Sequence, residues 1–305
     1  MTTIRISPQT LGHLLPECPA ALSDVSVSAI CDDHREISGE DTLFFARRTA
    51  SGKTFAAQAL DAGAALVLAD ENLNGHPRIL ACAEPAQVLA SIISQSQGWS
   101  SQLPNITAVT GTNGKSSVTH LLAGLYEAIG QKTAVIGTLG AGRFTADGSG
   151  LTALANTTPS LLANWDWLIR FAQQGIEQIV MEVSSHALDQ NRVAGLPIKT
   201  AVFTQISRDH LDYHADFAAY QQAKLQLLAH RGLKTVVFDA DTLWADELAE
   251  RASAQSLSTI CFSLNDDPRA DVQVRVAQSG FDGMSLDYQW RADRQNFYAQ
   301  TRLVG

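Results

Sequence analysis

Glycines, a lysine and hydroxyls stand in a row at Gly111-Thr112-Asn113-Gly114-Lys115-Ser116-Ser117, directly after the apolar run Ile106-Thr107-Ala108-Val109-Thr110. That order suits a polyphosphate. Glycines let backbone N–H groups turn inward, a helix N-terminus favours negative charge, a lysine reaches terminal phosphates and a hydroxyl can hold Mg²⁺. The strict phosphate-loop pattern asks for a glycine where this chain has Val109, and Gly111 comes two residues later. A plain strand-to-helix turn would use the same glycines for backbone freedom. The setting favours the nucleotide. Val118, Leu121, Leu122, Leu125 and Ile129 share one predicted helical face, and Gly130 is placed to end that helix. An ATP- or GTP-handling enzyme is the leading expectation.

In open parallel sheets, ligands sit at the carboxyl ends of strands. Two further predicted strand ends carry polar clusters, Glu182-Val183-Ser184-Ser185-His186 and Ser207-Arg208-Asp209-His210-Leu211-Asp212-Tyr213-His214. A carboxylate ending an apolar strand, as Glu182 does, is costly unless paired or metal-bound. It reads equally as an Mg²⁺ ligand or as a cap for the next helix. His210 and His214 are four apart, which on a helix would make a zinc pair conceivable. No third soft ligand is near, so a hydrogen-bonded turn, or one histidine serving a metal–phosphate site, reads better. Lys224, inside a predicted amphipathic helix, reads locally as a surface lysine. Asn156-Thr157-Thr158-Pro159-Ser160 reads as a loop and helix start. Gln190 and Arg192 read as solvated loop residues or, near a phosphate site, as a grip for an anionic substrate.

The elements that must hold these residues alternate. Before about Ser100 the pattern predicts a small α/β unit. It has strands at 43–46, 65–69 and 78–80, helices at 54–62 and 85–97, and a linker over 98–104. From Asn105 strands are expected at 106–110, 133–138, 178–183, 200–206 and 235–239, with helices at 160–174, 217–229 and 243–252 between them. That is a mostly parallel, doubly wound sheet. Beyond it, 259–264, 271–276, 284–290 and 297–303 read as antiparallel strands added at an edge. The fold class is therefore α/β, with units 1–100 and 101–305. Because the chain stops at Arg302-Leu303-Val304-Gly305 with nothing helical to cover that strand, a truncated chain is expected.

Composition narrows the function classes. The 305 residues are 45% hydrophobic and 17% charged, which argues for a large buried core and against disorder. A net charge of −9 disfavours a general nucleic-acid binder. Cys18, Cys31, Cys82 and Cys261 are far apart and read as reduced thiols. With no signal peptide and no run long enough to span a bilayer, the expected compartment is the cytoplasm, without membrane insertion.

Taken together, four segments closely resemble the Mur ligases of peptidoglycan synthesis, nearest to the MurE type. They are Thr110–Ser117, Asn156-Thr157-Thr158, Met181–His186, and Ser207–His214 followed by Ala223-Lys224. The match covers Asn105 to about His230. It implies an ATP- and Mg²⁺-dependent, ADP-forming amide ligase, acting as a monomer. ATP would phosphorylate the D-glutamate of UDP-N-acetylmuramoyl-L-alanyl-D-glutamate, and the amine of a diamino acid would attack the acyl phosphate. Residues 1–100 would bind the UDP substrate. Carried over by position, Gly111, Thr112, Asn113, Gly114, Lys115, Ser116 and Ser117 would bind ATP, with Lys115 on the β- and γ-phosphates. Ser116 and Glu182 would hold one Mg²⁺ and His210 a second. Asn156, Thr157, Thr158, Ser184, Gln190 and Arg192 would contact the UDP substrate. Lys224 matches a lysine that the family carbamylates, a carbamate being able to bind Mg²⁺ or orient phosphate.

The chain also departs from the family. Ser116-Ser117 stands for Thr-Thr, Asp33-His34-Arg35 for Asp-Ser-Arg, Ser51-Gly52 for Asp-Gly, and Asp239-Ala240-Asp241 for Asn-Ala-Asp. The resemblance implies that the family's amino-acid-binding third domain is not part of this chain and that the chain alone would be inactive as a ligase. Meso-diaminopimelate is the favoured diamino acid, with L-lysine open. A folylpolyglutamate-like or other Mur-type ligase, and a non-catalytic nucleotide-binding module, are the competing readings.

Overall fold

A computed structural model describes residues 2–47, 52–71, 75–97, 103–207, 213–292 and 295–302. The first part contains β1 Thr3–Thr10, α1 Leu11–Leu14, β2 Ser26–Cys31, β3 Thr42–Phe45, α2 Gly52–Asp61, β4 Leu66–Ala69, β5 Ile79–Ala81 and α3 Pro85–Gln97. Its five strands lie in sequence order, β1 antiparallel to β2 and the rest parallel. The near-continuous apolar runs Leu43-Phe44-Phe45 and Leu66-Val67-Leu68 suit strands covered on both faces, and all six are buried.

The second part comprises β6 Asn105–Thr110, α4 Lys115–Ala128, β7 Thr133–Gly137, β8 Gly140–Arg143, α5 Leu161–Gln173, β9 Gln178–Glu182, α6 Ser185–Asp189, β10 Ile198–Phe203, α7 Phe217–Leu225, β11 Thr235–Asp239, α8 Ala245–Ala254, β12 Ser258–Ser263, β13 Val272–Gly280, β14 Gly283–Trp290 and β15 Gln295–Thr301. One ten-stranded sheet runs β15-β14-β13-β12-β11-β10-β6-β9-β7-β8. β6 lies between β9 and β10, parallel to both, so three carboxyl ends meet at one edge. The architecture is the expected α/β one. A single apolar core joins the two sheets. Helix α5 packs on α3 and β1, and Ile4, Leu89, Ile92, Ile93, Trp165 and Leu168 share one cluster.

Two expectations are corrected. Strand β12 is not antiparallel: it pairs in parallel with β11, and β13 follows in parallel over a short register, Phe262↔Val272 and Ser263↔Gln273. A strand reached through a helix, here α8, returns by a crossover and lands parallel. Only β13-β14-β15 form the antiparallel meander. The apolar face assigned to α4 is also rotated. Leu121, Leu125 and Ile129 are 47%, 64% and 71% exposed, whereas Thr119 and Ala123 are fully buried, with Val118 and Leu122 packed beside them. The phosphate loop fixes how α4 leaves β6, and the close approach to the sheet admits only small side chains beneath it. β1, β2 and β8 were not anticipated; the first two alternate in burial only in part, and β8 is short and glycine-rich.

The rotation of α4 is testable by urea unfolding. Leu125→Gln should change stability by less than about 0.5 kcal/mol, as exposed substitutions do. Ala123→Leu should cost about 1–3 kcal/mol, because the added methylenes have no room.

Candidate active site

The phosphate loop leaves β6 under tight constraint. Gly111 has φ +152°, and a side chain there would collide with the Thr204 hydroxyl. Gly114, at φ +84°, opens α4. Thr204 Oγ1 donates to Asn113 O at 2.7 Å, and Thr112 N donates to Gln205 O at 2.8 Å. The Thr112 hydroxyl donates to Ser207 O at 3.0 Å and meets the Tyr220 hydroxyl at 2.8 Å. Thus the end of β10 and helix α7 brace the loop from one side.

Two ammonium groups converge on the loop. Lys115 Nζ donates to Gly111 O at 3.0 Å and Thr112 O at 2.7 Å, and Lys224 Nζ donates to Gly111 O at 2.9 Å. Lys224 is 1% exposed, its Nζ 4.6 Å from the Tyr220 ring centroid. Its local reading as a surface lysine is overturned, because that face of α7 turns toward the loop. A buried ammonium tolerates desolvation through a hydrogen bond and an aromatic face.

Glu182, also 1% exposed, ends β9 beside the loop. Its carboxylate accepts from Ser116 Oγ at 3.0 Å, Thr138 N at 2.9 Å and Thr138 Oγ1 at 3.1 Å. It does not cap the following helix. That role falls to Ser184 Oγ, which accepts from Ala187 N. Gly137 is the backbone that lets Glu182 in, since a side chain there would run into the carboxylate. Mg²⁺ takes hard oxygens, commonly one or two carboxylates with substrate phosphates. A hydroxyl and a carboxylate next to a phosphate loop fit that donor set.

The remaining candidates lie along the same edge and into a cleft of about 560 Å³ between the two sheets. Thr157 Oγ1 is 3.1 Å from Thr138 Oγ1. Thr158 is buried, its hydroxyl donating to Glu182 O and accepting from Ser184 N. Asn156, Gln190 and Arg192 line the cleft with Asp32, Arg47 and Tyr213. Arg47 pairs with Asp32 at 2.9 Å. Burial pushes the Asp32 carboxyl up, and Arg47 opposes that shift. Burial, and next the neighbouring Arg47, lower the Arg192 pKa. The loop bearing Arg192 is pinned by three consecutive carbonyls. Asn164 Nδ2 donates to Arg192 O, His230 Nε2 to Val193 O and Trp165 Nε1 to Ala194 O.

His210, with Arg208, Asp209, Leu211 and Asp212, lies outside the described residues. His214 is buried, its Nε2 2.9 Å from Ser185 Oγ. Among the described residues no cluster of three or more His, Cys, Asp or Glu is arranged for a metal. In the first sheet Asp33 pairs with Arg35, and His34 stacks on Phe55 with ring centroids 5.6 Å apart. Asp239 accepts from Asp241 N, and Asp241 from Ser263 Oγ and Leu264 N. Sequence reasoning missed Thr138, Thr204, Tyr220 and Asn164. Thr138 and Thr204 sit at strand ends, so the rule that singled out Glu182 applies to them. Tyr220 and Asn164 gave no local signal.

The Mur ligase middle domain family matches residues 109–305. The chain is 34% identical over 261 residues to the UDP-N-acetylmuramoyl-L-alanyl-D-glutamate–2,6-diaminopimelate ligase of Chromobacterium violaceum, covering 84% of this chain and 52% of that protein. It is 36% identical over 281 residues to the ligase of the same name from Xanthomonas campestris pv. campestris, covering 90% and 56%. A solved structure of a ligase of that name superposes with a TM-score of 0.85 at 28% identity, over 98% of this chain and 61% of the other. The chain thus spans about half the length of the curated relatives it matches.

Two measurements probe this geometry. Gly137→Ala should displace the Glu182 carboxylate and weaken Mg²⁺-dependent binding of an ATP analogue by about tenfold to a hundredfold, the usual loss when a ligand's support is disturbed. Burial lowers the His230 pKa from 6.5, so the unfolded chain takes the proton more readily. Its contribution to stability is whole above about pH 6.5 and is lost as the pH falls below that. Thermal unfolding of His230→Gln, followed from neutral to mildly acid pH, should therefore show a shallower decline than the parent.

Proposed function

The chain belongs to the Mur ligase family, and on that footing we propose that it carries the nucleotide and UDP-substrate sites of an ATP-dependent, ADP-forming amide ligase of cytoplasmic peptidoglycan synthesis, acting as a monomer. The observation that carries the proposal is the meeting of Lys115, Ser116, Glu182 and Lys224 at one sheet edge, beside the cleft lined by Gln190 and Arg192.

A carboxylate is a poor acyl donor until one oxygen becomes a good leaving group. ATP supplies that by passing its γ-phosphoryl group to the D-glutamate side chain of UDP-N-acetylmuramoyl-L-alanyl-D-glutamate, giving an acyl phosphate and ADP. The amine of a diamino acid then attacks the carbonyl carbon, and phosphate leaves. Diaminopimelate is preferred to L-lysine because the relatives named above are diaminopimelate ligases. In the first step two anions must approach, so cations have to offset their repulsion. Lys115 would leave the Gly111 and Thr112 carbonyls for the β- and γ-phosphates, and the amides of Gly111–Ser117 would cradle them. Ser116 and Glu182 would hold Mg²⁺, which draws charge off the transferring phosphoryl group. His210 would hold a second ion. Lys224, once its neutral amine adds carbon dioxide and loses a proton, would present a carbamate to that ion or to the phosphate. Asn156, Thr157, Gln190 and Arg192 would meet the UDP substrate. Thr158 and Ser184 would serve that contact by holding the strand end. Residues 1–100 would take the uridine part.

Isothermal titration tests this. The chain should bind both AMP-PNP with Mg²⁺ and UDP-N-acetylmuramoyl-L-alanyl-D-glutamate. Lys115→Ala should weaken the nucleotide by about tenfold or more, as loss of a charged hydrogen bond does, and spare the UDP substrate. Nucleotide binding without UDP-substrate binding would support a nucleotide-binding module instead.

A further inference from the structure

Gln190 and Arg192 are not merely near the cleft; a directional chain of hydrogen bonds sets which way each one faces. It starts at Asp189. Tyr213 Oη donates to Asp189 Oδ2 at 2.6 Å, and Gln190 Nε2 donates to Tyr213 Oη at 3.0 Å. Gln190 Oε1 then accepts from both Arg192 Nε at 3.0 Å and Nη2 at 2.7 Å, and Arg192 Nη1 donates to Thr158 O at 3.0 Å. The Tyr213 ring is wedged by His186, centroids 4.0 Å apart, and by the edge of His214 at 4.8 Å.

The polarity follows from the first link. An ionised carboxylate only accepts, so the phenol proton is committed to Asp189. The phenol oxygen is then left to accept, which calls for the amide NH₂ of Gln190. The amide oxygen must therefore face the guanidinium. A flipped amide would set NH₂ against guanidinium N–H groups, donor against donor, and its oxygen against the lone pairs of the phenol. A guanidinium carries five N–H groups in a fixed plane. Three are used here, leaving one on each terminal nitrogen for an incoming oxyanion.

We infer that Asp189 and Tyr213 are positioning residues of the cleft, which through the Gln190 amide aim the Arg192 guanidinium at an oxyanion of the UDP substrate. This rests on the function proposed above. The oxyanion is a carboxylate of the dipeptide or an oxygen of the diphosphate, two groups of the same chemistry that binding can tell apart.

The 305-residue chain is titrated with UDP-N-acetylmuramoyl-L-alanyl-D-glutamate, with UDP alone, and with AMP-PNP and Mg²⁺. Tyr213→Phe should weaken the UDP substrate by about fivefold to tenfold, the usual effect of one lost hydrogen bond, and leave AMP-PNP unchanged. In a Gln190→Ala background the same substitution should have no further effect, because its route to Arg192 is already gone. A purely structural tyrosine would cost the same in both backgrounds, and that result, or no loss in Tyr213→Phe itself, overturns the inference. Weakening of UDP alone by the same factor assigns Arg192 to the diphosphate, and weakening confined to the dipeptide-bearing substrate assigns it to a carboxylate. If the parent chain binds AMP-PNP and no UDP substrate, the functional reading fails and the inference with it; if only the double-mutant result disagrees, the functional reading stands alone.

Discussion

The carbonyl of Gly111 is the point on which the site depends. It receives the ammonium groups of both Lys115 and Lys224, one from the helix that the loop begins and one from a helix more than a hundred residues later in the chain. Two like charges on one acceptor repel each other, and the repulsion grows as water is excluded. The left-handed backbone at Gly111 and the hydroxyl of Thr204 against it make the carbonyl point where both lysines reach. The loop is thus a junction of β6, β10, α4 and α7.

The sheet order explains why the acidic half of the site lies so close. β9 is next to β6, so Glu182 emerges beside Ser116, and β7 is next to β9, so Thr138 closes over the same carboxylate. The missing side chain of Gly137 is part of this arrangement, since the carboxylate occupies the space a Cβ would need. The cations on α4 and α7 and the carboxylate at the end of β9 then face the same edge.

The cleft has a different origin. It exists because α5 packs on α3 and β1, which makes the two sheets share one core rather than hang from a linker. The loop that carries Gln190 and Arg192 spans this junction. Its backbone is held by Asn164, Trp165 and His230, and its side chains by Tyr213 and Asp189. A binding surface at a junction of two units is rigid only if both its backbone and its side chains are tied, and here they are tied by separate residues.

The local order of residues by itself determined the phosphate loop, the alternation of strands and helices, and the placing of Glu182 at a strand end. Each depends on neighbours within a few positions, through glycine freedom, apolar periodicity and the cost of a carboxylate on an apolar strand. Resemblance to a family added Lys224, whose own helix read as a solvent-facing one. What only the tertiary structure decided is everything set by contacts across the sheet: the burial of Lys224 under the loop, the rotation of α4 that leaves Leu125 and Ile129 exposed, the parallel sense of β12, and the Asp189–Tyr213–Gln190–Arg192 chain. The reason is physical. Periodicity tells which residues share a face, but the direction of that face, and the partner of each polar group, are set by strand order and by how closely each helix can approach the sheet.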